Sequence, residues 1–147
     1  MPHISVTTTI EAPPAAVYAY VEEHSNTARY VDGITSWEPA TEQVHGVGST
    51  FRASMQLGPK QLESTLRITE AEPGVVLAWA PVDGFSQSGA WHFAADGEGT
   101  QARFDVDVTF PGGLAGRLLG KTIEPAIRSS VAKTVANLKE QVEALPR

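Results

Sequence analysis

The sequence predicts an α+β domain in which a curved, seven-stranded antiparallel sheet wraps a long C-terminal helix. Three observations carry this prediction. From Ile127 the apolar residues Val131, Val135, Leu138, Val142 and Leu145 recur in steps of four, four, three, four and three, a spacing that puts them on one helical face. Ahead of that helix, extended segments alternate apolar and polar residues across turns too short for parallel crossovers, so neighbouring strands must run antiparallel. Between the first and second strands, a double proline and a short apolar stripe mark two short helices. A sheet that bows around a long helix encloses a hollow when side chains do not fill the gap.

Ile4 to Ile10 reads as the first strand, with Ile4, Val6, Thr8 and Ile10 on one side and Ser5, Thr7 and Thr9 on the other. Glu11-Ala12-Pro13-Pro14 stops it, Pro14 suits a first helical turn, and Val17, Tyr18 and Val21 stripe Ala15 to Glu22. Ser25 or Asn26 caps a second short helix that runs toward Tyr30 and ends at Asp32-Gly33. Six strands follow: Ile34 to Glu38, Ser49 to Leu57, Gln61 to Glu70, Val75 to Ala80, Phe85 to Ala94 and Gln101 to Phe110. Gly46-Val47-Gly48, Gly58-Pro59, Pro73-Gly74, Asp83-Gly84 and Asp96-Gly97-Glu98-Gly99 supply the turns. Alternation assigns Phe51, Ala53, Met55, Leu57, Leu62, Leu66 and Ile68 to the inner face, followed by Val75, Leu77 and Trp79. Trp91, Phe93, Phe104, Val106, Val108 and Phe110 complete it, while Arg52, Gln56, Glu63, Arg67, Arg103, Asp105 and Asp107 face water. In the closing helix Pro125 cannot donate to the carbonyl of Lys121, which predicts a kink or a fresh start there. Leu114, Leu118, Leu119 and Ile123 form the preceding segment, expected to regulate entry on a Pro111-Gly112-Gly113 hinge.

At 147 residues the chain is expected to be a single domain spanning 1–147. It is 41% hydrophobic without an apolar run of bilayer length, which predicts a globular protein with no stable membrane insertion. Met1-Pro2-His3-Ile4 leads into a strand pattern rather than a basic and then apolar leader, so the expected location is the cytoplasm. The absence of cysteine excludes disulfides, thiolate metal sites and a cysteine nucleophile. A net charge of -6 argues against nucleic acid or an anionic membrane surface as the main partner. The charge is uneven, because Gly113 to Lys139 holds five cations and one anion. The simplest reading of that stretch is a solvated helix face.

No constellation announces a cofactor or a metal. His3, His24, His45 and His92 show no HxH or HExxH spacing, and alternation turns His92 to the outer face between Trp91 and Phe93. Gly46-Val47-Gly48 lacks the third glycine and the following helix of a dinucleotide loop, and Gly84-Phe85-Ser86-Gln87-Ser88-Gly89 lacks the strand-to-helix setting of a nucleophile elbow. Asp105 and Asp107 alternate with apolar residues, the pattern of an exposed strand face. The inward polar set is Ser64, Gln87, Ser130 and Thr134, joined by Tyr18 and Tyr30 from the short helices. With Phe51, Met55, Leu66, Trp79, Trp91, Phe104 and Val106 as apolar wall, these are the candidate ligand-contacting residues. Their plainer roles are structural: Ser130 and Thr134 let the helix approach the sheet, Gln87 satisfies a strand end, and the aromatic residues fill the core.

The order of elements and several local patterns resemble the START-related helix-grip superfamily (SRPBCC), in its polyketide cyclase/dehydrase and lipid-transport branch. The matching pieces are Ile10-Glu11-Ala12-Pro13 with Val17, Gly46-Val47-Gly48-Ser49-Thr50-Phe51, Glu70-Ala71-Glu72-Pro73-Gly74 with Leu77 and Trp79, Gly99-Thr100, and Leu138-Lys139. Tyr30-Val31-Asp32-Gly33 departs from the Trp-Pro pair that many relatives carry at the cavity mouth. The resemblance implies the helix-grip fold and an internal cavity for a hydrophobic small molecule, without a catalytic motif to carry over. Binding or transport of a lipid, polyketide or aromatic metabolite is the leading expectation. A cofactor-independent cyclase or dehydratase using an inward Tyr or His is the rival, and an interaction module with a filled core and an exposed apolar patch is the third. Self-association to a homodimer stays open.

Overall fold

The computed structural model describes residues 3–110 and 113–145. Among them, strands β1 (His3–Ile10), β2 (Ile34–Pro39), β3 (Thr50–Leu57), β4 (Lys60–Glu72), β5 (Val76–Gly84), β6 (Ser86–Asp96) and β7 (Gly99–Thr109) form one antiparallel sheet in the order β1-β7-β6-β5-β4-β3-β2. The first strand pairs with the last, His3 opposite Asp107 and Ile10 opposite Thr100, so β1 and β2 are the two edges. Helices α1 (Pro14–Glu22) and α2 (Thr27–Tyr30), joined by a 3-10 turn at His24–Asn26, connect β1 to β2, and α3 (Leu114–Glu143) packs inside the curl. This is the helix-grip architecture.

Alternation produces the two faces as expected along β3, where Phe51, Ala53, Met55 and Leu57 are buried while Arg52 and Gln56 are exposed. Irregular pairing inserts extra residues in β2 between Ile34 and Ser36, in β5 opposite Thr65/Leu66 and in β4 between Ile68 and Glu70, which bends strands and tightens the curl. On α3 the stripe Ile123, Ile127, Val131, Val135, Leu138 and Val142 is buried to 6% exposure or less. Burial of each such side chain contributes roughly 1.5–3 kcal/mol, which makes this seam the main fastening of helix to sheet. The edge of β1 is closed by α3: Lys139 Nζ donates to the Thr9 carbonyl, and Glu143 Oε2 accepts from the Glu11 amide at 2.8 Å.

A second fastening joins α3 to the turn after α2. Thr134 Oγ1 accepts from the Asp32 amide at 2.9 Å, Ser130 Oγ donates to the Asp32 carbonyl at 3.0 Å, and Asn137 Nδ2 donates to the Tyr30 carbonyl at 3.2 Å. Gly33 follows with a φ of +88°, and a Cβ there would stand 2.7 Å from the Gln56 carbonyl oxygen, so only glycine lets this turn close on β3.

Several expectations are corrected. Helix α3 runs unbroken through Pro125, which lies on its exposed side, so no fresh start occurs there. Leu114 and Leu118 are 72% and 59% exposed and face solvent, because the buried side of this helical stretch is set by Ile123 and Ile127 instead. Leu145 lies beyond the last helical turn and is 40% exposed. Val75 is 45% exposed because its amide closes a turn onto the Glu72 carbonyl, placing it before the alternation of β5 begins. Pro111 and Gly112 of the expected hinge lie outside the described residues.

Candidate functional site

Strands curling around α3 leave a hollow that their side chains do not fill. It is a cavity of about 120 Å³ that opens to solvent at its mouth. Strands β3 and β4 contribute Phe51, Ala53, Met55, Leu57, Leu66 and Ile68 to its wall. From β5 and β6 come Leu77, Trp79, Phe85, Gln87 and Trp91, and from β7 Phe104, Val106 and Val108. The roof is α3, through Ile127, Ser130, Val131 and Thr134.

The floor is aromatic. Trp91 and Phe104 stack with centroids 4.2 Å apart and 17° between planes, Phe93 continues the layer parallel to Trp91, and Trp79 tilts against Phe104 at 5.6 Å. Trp79 can lie there because Gly89 sits beneath it: a Cβ on Gly89 would stand 2.7 Å from the indole ring. A second stack forms the rim, Trp37 on Phe51 at 4.9 Å and 16°, with the His24 imidazole at 5.5 Å from the same phenyl ring. All three tryptophans of the chain border the hollow.

Polar groups are few; several are already committed, while the indole Nε1 atoms of Trp37 and Trp79 are buried without a partner among the described residues. Ser130 and Thr134 spend their hydroxyls on the backbone of Asp32 and on the Ser130 carbonyl. Tyr30 borders the hollow as a neutral phenol, since burial above all, and then the neighbouring Tyr20, push its pKa far up, against the small opposing effect of a hydrogen bond with Thr27. Gln87 is different. It is 8% exposed, and its described hydrogen bond is Nε2 to the Met55 thioether at 2.9 Å, a weak acceptor for an amide that offers two donors and two acceptor lone pairs. Gln87 is thus a buried polar group with spare hydrogen-bonding capacity inside an apolar wall. At the rim, Glu22 accepts from His45 Nδ1 at 2.6 Å, and Val44 and Gly46 of the β2–β3 loop join it at the mouth.

Two sequence candidates lie elsewhere. Tyr18 packs edge-on against Phe93 at 6.3 Å, outside the lining, although Val21 of the same α1 stripe borders the hollow. Ser64 is 6% exposed with its Oγ lacking a described partner, but Gly84 crosses it so closely that a Cβ there would stand 3.0 Å from the Ser64 Cα. It shares the inner face of β4 with Leu66 and pairs with Ala53, but it is not among the residues that border the hollow. His92 lies on the outer face with Nε2 3.5 Å from Asp105, which Arg103 also binds. His24, Trp37, Thr27 and Glu22 border the hollow without having been singled out from the sequence. His24, Thr27 and Trp37 belong to a short 3-10 turn, a short α2 and a bulged edge strand, too brief for periodicity to assign a facing, and Glu22 ends α1.

Among the described residues no cluster of His, Cys, Asp and Glu could hold a metal ion, and no helix is long and apolar enough to cross a membrane. The sequence profile of the polyketide cyclase / dehydrase and lipid transport family matches residues 1–143. No curated protein matches the chain in sequence. Among solved structures, TTHA0849 from Thermus thermophilus superimposes with a TM-score of 0.84 at 22% identity, over 97% of this chain and 98% of that one. The Zhui aromatase/cyclase from Streptomyces sp. R1128 gives 0.78 at 18% identity, covering 97% and 93%. Ginseng major latex-like protein 151 from Panax ginseng gives 0.72 at 12% identity, covering 99% and 98%. At these identities the likeness is one of fold.

Proposed function

We propose that this chain, which belongs to the polyketide cyclase / dehydrase and lipid transport family, binds and carries one hydrophobic, ring-bearing small molecule between its sheet and α3. The observation that supports this most is the pairing of an aromatic, unfilled hollow with one buried amide, Gln87, that lacks a strong partner. Apolar burial drives association at roughly 25 cal/mol per Å², so a guest losing about 250 Å² of apolar surface gains about 6 kcal/mol before association costs. Gln87 then sets orientation by hydrogen bonding a carbonyl or hydroxyl of the guest. The aromatic floor favours flat guests, whose faces stack on Trp91 and Trp79. Lipids, polyketides and aromatic metabolites all meet these requirements in part, and a fused aromatic skeleton meets them best.

A second reading is a cofactor-independent cyclase or dehydratase, and the observation that favours it is His24. Its imidazole borders the hollow, stacked on Phe51, and among the described residues it makes no hydrogen bond. An imidazole so placed takes a proton from the carbon beside a guest carbonyl and gives it to the hydroxyl on the next carbon, whose C–O bond breaks to release water as the C=C bond forms. His92, turned outward, cannot do this, and Tyr30 is held too firmly protonated to act as base. Native mass spectrometry of freshly purified protein, followed by denaturing extraction, separates the readings. A stoichiometric small molecule recovered unchanged supports carriage, and one that converts over time in wild type but not in His24→Ala supports catalysis. Protein free of any adduct that also fails to bind 2-naphthol at millimolar concentration overturns both.

A further inference from the structure

The first half of α3 carries an outward face unlike the rest of the surface. Helical residues advance by about 100° each, so Leu114, Arg117, Leu118, Lys121, Pro125 and Arg128 fall within an arc of about 100° on the side opposite Ile123 and Ile127. The structure confirms the facing: Leu114 and Leu118 are 72% and 59% exposed, and Arg117, Lys121 and Arg128 are exposed as well. Arg128 shares a 3.6 Å contact with Glu124, while among the described residues Arg117 and Lys121 have no ion-pair partner. Two bare leucines bracketed by uncompensated cations form a short basic amphipathic stripe. It occurs on a chain whose net charge is -6.

We infer that this stripe is a docking surface for an anionic lipid bilayer, with Leu114 and Leu118 entering the headgroup boundary and Arg117, Lys121 and Arg128 meeting lipid phosphates. The charge pattern selects this occupant. An uncharged hydrophobic partner would leave the cations desolvated, and leucines add little to an acidic surface in water, whereas the edge of an anionic bilayer offers acyl chains and phosphates at adjacent depths. The acidic remainder of the chain does not cancel the attraction, because charges more than about 8 Å away are largely screened at physiological ionic strength. Local sign therefore outweighs net charge, which by itself argues against such a surface. The docked stripe lies on the back of the helix whose other side, at Ile127 and Ser130, roofs the hollow. Docking thus brings the cavity roof to the bilayer surface. The inference goes beyond the ligand reading and stands without it.

Co-sedimentation with sucrose-loaded vesicles tests it, comparing phosphatidylcholine alone with phosphatidylcholine containing 30% phosphatidylglycerol. Wild type should partition at least tenfold more strongly onto the anionic vesicles. Leu114→Ser with Leu118→Ser, and separately Arg117→Glu with Lys121→Glu, should each lower that partition at least fivefold while leaving circular dichroism and 2-naphthol affinity unchanged. Equal partition onto both vesicle types overturns the proposal, as does anionic binding that survives both double variants. A wild-type dimer in light scattering that becomes monomeric in the leucine variant also overturns it, by showing that a second copy covers the stripe. Loss of 2-naphthol binding with vesicle binding intact would instead refute the ligand reading alone.

Discussion

Gln87 offers a quantitative trade between stability and binding. Replacing it with leucine keeps a branched side chain, one bond shorter, and removes an amide whose described bond is to the Met55 thioether. Burying an amide without adequate partners costs about 1–3 kcal/mol, and little hydrogen-bond energy is forfeited on its removal. Gln87→Leu should therefore stabilise the free protein by about 1 kcal/mol, a rise in Tm of about 3 °C for a chain of this size. The same change should weaken binding of a guest that hydrogen bonds to the amide by about 1 kcal/mol, five- to tenfold in Kd. Calorimetric titration with naphthalene and 2-naphthol isolates this effect, since the two differ by one hydroxyl. Wild type should prefer 2-naphthol five- to tenfold, and Gln87→Leu should erase or reverse that preference while binding naphthalene at least as well. A variant less stable than wild type by 1 kcal/mol, or an unchanged preference, would refute the assignment of Gln87 as an anchor held at the expense of stability.

Other substitutions probe the frame around the hollow. Pro125→Ala restores a donor for the Lys121 carbonyl within a continuous, exposed helical turn and should raise stability by about 1–3 kcal/mol in urea unfolding; a loss would mean that the proline itself fits the helix to the sheet. Trp91, 1% exposed and stacked between Phe93 and Phe104, should cost about 3–5 kcal/mol on truncation to alanine, read as a lower urea midpoint, with a near-neutral result contradicting its place in the floor. Burial alone would raise the Asp105 pKa, but its bonds to Ser5 and Arg103, together with the charges of Arg103 and His92, hold it below the usual carboxylate value. A depressed folded-state pKa contributes stability above the unfolded value near 3.9, and that contribution is lost as pH falls through the lower folded value. Asp105→Asn should accordingly be less stable than wild type at pH 7, with the difference closing toward pH 3; a gap that widens in acid would contradict the sign.

The strands and the closing seam were legible because their periods are long and regular. Phe51 to Leu57 alternate without exception, and Ile127 to Val142 hold one helical stripe, so facing and partner followed from spacing. Legibility failed where a helix carries apolar residues on two sides. Leu114 and Leu118 follow one another at a helical step of four but stand on the side opposite Ile123 and Ile127, and only the position of the sheet decides which side is covered. Pro125 misled for a related reason: on an exposed turn, its lost hydrogen bond leaves a carbonyl that water can satisfy, so the helix need not break. The hollow itself was inferred from curvature, but which polar groups would remain uncommitted was not. Ser130, Thr134 and Gln87 look alike as inward polar residues, and they separate only once the Asp32 turn takes both hydroxyls and leaves the amide with sulfur. His24 was hidden because a three-residue 3-10 turn has no period to read.

Trp37, Trp79 and Trp91 all border the hollow, which makes intrinsic fluorescence a direct gauge of its occupancy. Titration with a flat aromatic guest such as 2-naphthol, read at tryptophan emission, should show saturable change at one guest per chain, and Ala53→Phe, which places a ring in the hollow, should abolish it. Emission that changes linearly without saturation, by the same amount as free N-acetyltryptophanamide, would contradict a binding site between sheet and helix.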